Sequence, residues 1–397
     1  MYFFHLMKSI FSFYPYSALV KPVFPIALFS LFSFTQCNVN FAEKKGEVSD
    51  TDLHALILPK GFRGEIYAQS VKNARAMSWG KDNMLFVGSR EEGKVYAIPD
   101  KNKDGIGEKA VLVAEGLTMP TGIAYKDGAL YVSEISRILK FENIDELYDK
   151  KPTPVPLPFS FPKEEHHGWK YLKFGPDEKL YVSLGAPCNL CEREDDKRFA
   201  SILRLDLESG ETEIFAQGVR NSVGFDWHPE DDVLYFTDNG RDWFGDDLPP
   251  CELNRAPRKG LHFGFPYCHG GQYTDPDFNN RPCEDFEKPF QNLGPHVAPL
   301  GMCFYTGTQF PEKYKNGIFV AEHGSWNRSQ PIGYRVTFIG LDEQMQSTGY
   351  EIFADGFLQK NGDRWGRPAD IIMHPDGSIL VSDDFGDAIY KISYRAE

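Results

Sequence analysis

From about residue 56 onward, apolar and polar positions alternate in short runs, and each run ends in a cluster of Gly, Pro, Asp or Asn. Period-two alternation bounded by turn residues predicts half-buried β-strands. The clearest case is a strand from Trp169 to Phe174, a turn at Gly175-Pro176-Asp177-Glu178, and a second strand around Leu180-Tyr181-Val182. Together these form a β-hairpin. The hairpin recurs: Ala76–Asn83 leads into Met84–Gly88, Pro120–Gly128 into Ala129–Ser133, and Val223–Pro229 into Leu234–Thr237. Gly317–Ala321 is a fifth copy, and Asp370–Gly377 with Ile379–Ser382 a sixth. Several copies are followed by a further short strand, as at Lys94–Ile98, Ile202–Leu205, Tyr334–Phe338 and Ala388–Ile392. Four short strands in each unit of roughly 45 residues predict an all-β chain, a six-bladed β-propeller with four-stranded antiparallel blades. Ile57 and Phe62–Ala68 are strand-like and are expected to complete the last blade, begun by Arg367–Tyr394. The one helix expected is short, near Ile144–Tyr148.

The opening residues break this pattern. They are aromatic, apolar and nearly uncharged, with Lys8 and Lys21 ahead of an apolar run from Pro22 to Thr35 that is too short and proline-broken for a membrane span. This reads as an export leader over residues 1–37, with translation starting at Met1 or Met7. Two readings of Cys37 stand: a lipid-modified cysteine tethering the protein to a membrane, or ordinary peptidase cleavage nearby. Residues 38–55 are expected to be a tether and 56–397 the propeller, in an exported, periplasmic protein. Beyond Cys37 the chain has six cysteines, an even number that an oxidising compartment would let pair. Cys188-Asn189-Leu190-Cys191 is read as a loop staple, because no second pair at zinc spacing exists and no histidine follows Cys191 as haem attachment requires. Asp100–Glu108 has oxygen side chains at alternate positions like half a calcium loop, but Val111 stands where the closing ligand belongs, and a polar hairpin turn is the simpler reading. A net charge of −14 excludes a nucleic-acid binder, which needs a basic surface.

Polar residues at matching places in successive repeats carry the functional argument, since a propeller converges such positions on its axis. They are Arg90, His167, Arg220-Asn221, Asp238-Asn239-Gly240-Arg241, Asp246-Asp247, Glu252, His296, Glu322-His323, Trp326-Asn327-Arg328 and Arg367. The elements Gly-Val-Arg-Asn, Asp-Asn-Gly…Gly-Asp-Asp…Glu-Leu-Asn, His-x-Ala-Pro-Leu-Gly, Ala-Glu-His-Gly-Ser-Trp-Asn-Arg and Val-Ser-Asp-Asp-x-x-Gly, taken together, resemble those of the soluble quinoprotein sugar dehydrogenases, nearest to the sorbosone dehydrogenase branch. The resemblance spans about Leu56 to Tyr394. It implies pyrroloquinoline quinone (PQQ) and a calcium ion at one end of the channel, with Arg90, Arg220, Asn221, Asn239, His323, Trp326, Arg328 and Arg367 around the cofactor.

The residue chemistry is consistent with that implication. PQQ is a flat tricarboxylate, and guanidinium groups hold carboxylates in planar, bidentate fashion, for which Arg90, Arg220, Arg328 and Arg367 are the supply. The resemblance makes His167 the general base that takes a proton from the substrate hydroxyl, with His166 as its alternate. It assigns the calcium ligands to the main-chain carbonyls of Gly240 and Arg241, while Asp246, Asp247 and Glu252 are read as a second, structural calcium site or as loop support. The insertion Pro249–Cys251 interrupts that segment, and Cys268–Pro295 lies where substrate loops are expected. The substrate implied is a sugar or a sugar-derived aldehyde or alcohol, with electrons leaving to an external carrier. Two other readings are a metal-dependent propeller hydrolase such as a lactonase, which has no need of four channel arginines, and a non-catalytic propeller that binds a protein or glycan.

Overall fold

The structure, a computed structural model, describes residues 48–396. Six four-stranded antiparallel sheets follow one another along the chain. Blade 1 comprises Ala74–Trp79, Leu85–Ser89, Val95–Ile98 and Val111–Ala114; blade 2 comprises Ile123–Lys126, Ala129–Ser133, Arg137–Phe141 and Val155–Ser160. Blade 3 holds Leu172–Phe174, Leu180–Leu184, Ser201–Leu205 and Thr212–Gln217, and blade 4 holds Phe225–Trp227, Leu234–Asp238, Pro250–Ala256 and Gln291–Pro295. Blade 5 is Pro299–Phe304, Ile318–Glu322, Arg335–Leu341 and Ser347–Ala354. Blade 6 takes Pro368–Met373, Ile379–Asp383 and Ala388–Tyr394 from the end of the chain and Phe62–Ala68 from its beginning. First strands of neighbouring blades meet one another, so they line the axis. This is the propeller expected from the hairpin repeats.

The closing strand is both hydrogen-bonded and packed. Its ladder runs from Phe62 opposite Tyr394 to Ala68 opposite Ile389. Phe62 also sits edge-on to Phe310 at 4.7 Å and to Phe353 at 5.0 Å, so it joins blade 6 to the aromatic core of blade 5. Deleting residues up to Ala68 is therefore expected to destabilise the whole domain, because the cut leaves an unpaired sheet edge and an opened core. Calorimetry checks this, and an unchanged melting temperature would show that the ring holds without its closing strand.

The first strands of blades 2, 3 and 4 start later than the sequence pattern predicts, whereas those of blades 1 and 6 start two residues earlier. The strand expected from Trp169 begins at Leu172. Side-chain hydroxyls explain the delay: Tyr171 N–H donates to Ser183 Oγ at 2.9 Å and Lys170 N–H to Thr121 Oγ1 at 3.2 Å, in place of ladder bonds. Ser133 Oγ does the same for Gly122 N–H, and Ser382 Oγ for Asp370 N–H. Because buried N–H groups need a partner, these hydroxyls allow the chain to leave the sheet and turn residues toward the axis. In blade 5 the expected strand Gly317–Ala321 is the second strand, and the axial one is Pro299–Phe304.

Other expectations need correction. Part of the presumed tether belongs to the folded body: Val48 is buried, Asp50–His54 is a helix capped by Ser49, and Ile57 bridges to Asp355. A second short helix, Ile144–Leu147, lies where one was expected. The six cysteines do not all pair. Cys188–Cys191 and Cys268–Cys283 are disulfides, whereas Cys251 and Cys303 are free and buried. Asp100–Glu108 is a turn held by its own side chains, with Asp100 accepting from Gly105 N–H and Asp104 from Ile106 N–H. The leader, Cys37 and the start of the tether lie outside the described residues.

The long stretch inside blade 4 is built rather than open. Leu261–His262 adds in parallel to the outer strand of blade 3, and a small hairpin, Cys268–His269 with Tyr273–Thr274, is closed by the Cys268–Cys283 disulfide. Asp275 in this insertion is fully buried and accepts from His269 Nε2 at 2.9 Å and from Arg241.

Candidate active site

A cavity of about 320 Å³ opens at the end of the channel where the first strands begin. That volume lies in the small-molecule range. Arg75, Arg90, Arg220 and Arg367 line it, against one lining carboxylate, Asp242. Arg75 sits where the first strand of blade 1 breaks register between Ala74 and Met77, Arg220 lies in the segment leading into blade 4, and Arg367 immediately precedes the first strand of blade 6.

Arg220 is the most tightly fixed. Its side chain is 4 % exposed; Nε donates to Asn189 O at 2.9 Å, Nη1 to Asn239 O at 3.1 Å, and Nη2 to Asn189 Oδ1 at 2.9 Å and Asp242 Oδ2 at 3.0 Å. Asp238 holds its main chain by accepting from Arg220 N–H and Asn221 N–H at 2.8 and 2.6 Å. On the opposite wall Arg367 donates from Nε and Nη2 to the carbonyls of His323 and Gly324 at 2.9 Å. Asp384 bridges Arg75 at 2.7 Å and His323 Nε2 at 2.8 Å. Burial raises the Asp384 carboxyl, but Arg75 and then His323 more than offset this and hold it well below the usual range. His323 itself is pushed down to about 3 by burial and then by Arg367, so it is neutral. Arg90 lies over the Trp169 ring at 4.8 Å. Two of the arginines, Arg75 and Arg90, keep a buried Nε–H that no acceptor among the described residues meets. An orphaned charged donor in a closed pocket calls for an anionic ligand, since leaving it unpaired is costly.

His167 completes the site. It occupies a turn rather than a strand entry, with φ of 50°, and its Nδ1–H donates to Ala186 O at 2.8 Å. Burial, then the charges of Arg220 and His166, push its pKa well below the ordinary value. The ring is therefore neutral and protonated on Nδ1, which leaves Nε2 as a free lone pair. His166, read as the alternate base, is exposed and does not line the cavity.

Several predicted site residues lie where expected. Arg90, Arg220, Asn221, Asn239, Gly240, His323, Trp326 and Arg367 all line the cavity, together with His167. Arg328 does not. Its guanidinium turns outward to Gln330 O, Asp246 O and Asp247, and braces the loop after Trp243. The fourth guanidinium is Arg75, which sequence reading missed although Ala74-Arg75-Ala76 precedes its hairpin much as Arg367-Pro368-Ala369 does. Asp242 and Asn189 were also missed, whereas Asn327, named with Trp326, does line the cavity; the only signal for Asp242 is its place two residues after Gly240. Trp326, 61 % exposed, meets Trp243, 68 % exposed, at the mouth with ring centroids 5.1 Å apart.

The carboxylates read as a structural calcium set do not gather. Glu252 is buried within blade 4, accepting from Gly270 N–H at 2.7 Å and from Asn254 Nδ2 at 3.0 Å. Burial, then the facing Asp238 charge, push its pKa above the ordinary carboxylate range. Asp246 accepts from Ser329 N–H, Asp247 is exposed beside Arg328, and the Arg241 side chain turns into the Asp275 pair. Among the described residues no group of three or more His, Cys, Asp or Glu side chains comes together as a metal site. Asp246 and Asp247 are loop supports, and calcium at this site would depend on main-chain oxygens such as that of Gly240.

Comparison with known proteins adds to this geometry. The TrAA12-like family matches residues 56–395. A protein of Borreliella burgdorferi, described only as uncharacterized, is 38% identical over 355 residues, 86% of this chain and 91% of that one. Among solved structures, a Trichoderma reesei enzyme of carbohydrate-active family AA12 superposes with a TM-score of 0.74 at 17% identity, over 89% of this chain and 100% of the other. The holo PQQ domain of pyranose dehydrogenase from Coprinopsis cinerea gives 0.70 at 18% identity, over 85% and 97%. At these identities the two structures establish the shared propeller.

Proposed function

The chain belongs to the TrAA12-like family, and from that premise we propose that it is a PQQ-dependent dehydrogenase that oxidises a sugar, or a sugar-derived aldehyde or alcohol, and passes the electrons to an external carrier. The observation that carries this reading is the ring of four lining guanidiniums, two with unmatched buried donors, beside a neutral histidine. Three carboxylates on a flat cofactor match that surplus of fixed positive charge, and the donors come already oriented by Asn189, Asn239, His323 and Gly324.

When bound, PQQ supplies the two-electron acceptor for the hydrogen that leaves the substrate carbon. The chain's own part is positioning and proton transfer. Arg75, Arg90, Arg220 and Arg367 hold the carboxylates, and Trp169 and Trp326 supply flat apolar walls. His167 Nε2 accepts the substrate hydroxyl proton, because Nδ1 is occupied by Ala186 O and burial, with the nearby Arg220 charge, disfavours a protonated ring in the resting state. Calcium enters the proposal through the main-chain oxygens of Gly240 and Arg241, since the nearby carboxylates are engaged elsewhere; calcium prefers such hard oxygen ligands. Two disulfides also suit the exported, oxidising location expected from the leader.

Titrating the purified protein with PQQ, with and without calcium, followed by a pyranose and a dye acceptor, tests the proposal. Saturable binding and sugar-dependent dye reduction are expected, whereas absence of PQQ binding overturns it. The pH profile is a second check. A base whose pKa is lowered stays unprotonated well into acid, so the acid limb of the rate is expected below pH 6.5, the ordinary histidine value. A limb at or above that value would mean that another group supplies the base.

A further inference from the structure

The Cys188–Cys191 disulfide takes no part in the chemistry above, yet it encloses the residue that holds the deepest guanidinium. The segment between Leu184 and Ser201 contains neither strand nor helix, so regular hydrogen bonding does not fix its backbone. Asn189 within it nevertheless makes four specific bonds. Its main-chain oxygen accepts from Arg220 Nε at 2.9 Å, and its Oδ1 accepts from Arg220 Nη2 at 2.9 Å and from Asp242 N–H at 2.8 Å. Its Nδ2 donates to Asp242 O at 3.1 Å. Both the main chain and the side chain of Asn189 must therefore be in register for Arg220 and Asp242 to keep their places in the cavity. The disulfide joins the two residues that bracket Asn189 and Leu190, and a cross-link of this kind removes the alternative conformations an irregular loop would otherwise visit.

We propose that Asn189 is a positioning residue for Arg220 and that the Cys188–Cys191 disulfide keeps it so, making the cavity's affinity for a carboxylate ligand depend on the thiol–disulfide state of this loop. The inference rests on the proposed role of Arg220 in holding PQQ. The bond is open to exchange: Cys188 and Cys191 are only half-buried, and Cys191 borders a second cavity of about 470 Å³, whereas Cys268 and Cys283 are buried. Accessible disulfides are the labile ones. Reduction by a dithiol breaks one S–S bond and forms two S–H bonds, and the dithiol gives up the two electrons and two protons as it closes its own disulfide.

The test compares the oxidised parent, the parent after dithiothreitol, Cys188→Ser/Cys191→Ser, and Asn189→Ala, which keeps the disulfide. PQQ affinity is measured by fluorescence titration, and hydrogen exchange is followed at the Asp242 amide. The dissociation constant is expected to rise about tenfold in the last three, the loss typical of a misplaced charge-assisted partner. Turnover at saturating PQQ should recover, and the Asp242 amide should exchange faster. Reoxidation should restore the parent, while the double variant should ignore dithiothreitol. Unchanged affinity in the double variant or in Asn189→Ala overturns the inference, as does a dithiothreitol effect that persists in the double variant, which would point to Cys268–Cys283. If the oxidised parent itself binds no PQQ, the proposed function fails separately. Exchange at Asp242 then decides, and an unaltered rate overturns the coupling.

Discussion

Replacing His167 with alanine is expected to slow sugar-dependent dye reduction by about a hundredfold to ten-thousandfold, the range over which a positioned base acts. PQQ affinity should change far less, because the arginines carry the cofactor's charge and His167 contributes only a lone pair. The geometry behind this is specific: Nδ1 is committed to Ala186 O, the ring is 6 % exposed, and burial with the Arg220 charge keeps it neutral. His166→Ala, at an exposed position outside the cavity, is expected to retain the parental rate. Stopped-flow measurement on PQQ-loaded protein separates the two. Parental rates in His167→Ala would falsify the role given to this ring, and a slow His166→Ala would shift the role by one residue. Melting curves of both variants distinguish loss of a base from loss of the turn that holds it.

Arg220→Ala is expected to weaken PQQ binding about tenfold or more, since a buried charge-assisted bond contributes roughly 1.5–3 kcal/mol. The same change strips Asn189, Asn239 and Asp242 of the donor they share, so a drop in melting temperature should accompany it. Arg220→Lys keeps the charge but cannot reach three acceptors from one planar fork, and should recover only part of the loss. Arg328→Ala is the contrasting case. Its guanidinium faces the Asp246–Asp247 loop rather than the cavity, so PQQ affinity should match the parent. Isothermal titration of the three variants decides the matter: equal affinity in Arg220→Ala, or a large loss in Arg328→Ala, would place the anion site elsewhere.

Arg328 and Arg75 also show how far the sequence could be read. Hairpin periodicity located all six blades, because alternation and turn residues are local properties that a chain displays without tertiary information. His167, Arg90, Arg220 and Arg367 were legible as polar residues recurring near first strands. Arg328 misled because a motif fixes which residues are present and leaves open which way each side chain turns; one residue after cavity-lining Asn327, it points out to a loop. Arg75 was hidden for the opposite reason, sitting in an apolar run that reads as ordinary strand. Glu252 carries the same lesson in charge. Its neighbours in sequence suggest a metal ligand, yet it lies buried in the sheet across from Asp238, where burial and that facing charge both disfavour its ionised form.

The blade shared between the two ends of the chain has a consequence for how the molecule comes to exist. The strand Phe62–Ala68 is made early and its partner Ala388–Tyr394 last, so throughout synthesis the first strand has nowhere to pair. Contacts between segments so distant in sequence form slowly, since the intervening chain must be ordered before the ends can meet. Until then both flanks of a nearly complete ring present unpaired strand edges, the usual template for joining another molecule. The hazard is thus concentrated in a brief window before closure, and a chaperone that shields strand edges during that window should matter more for yield than any change in the stability of the finished ring.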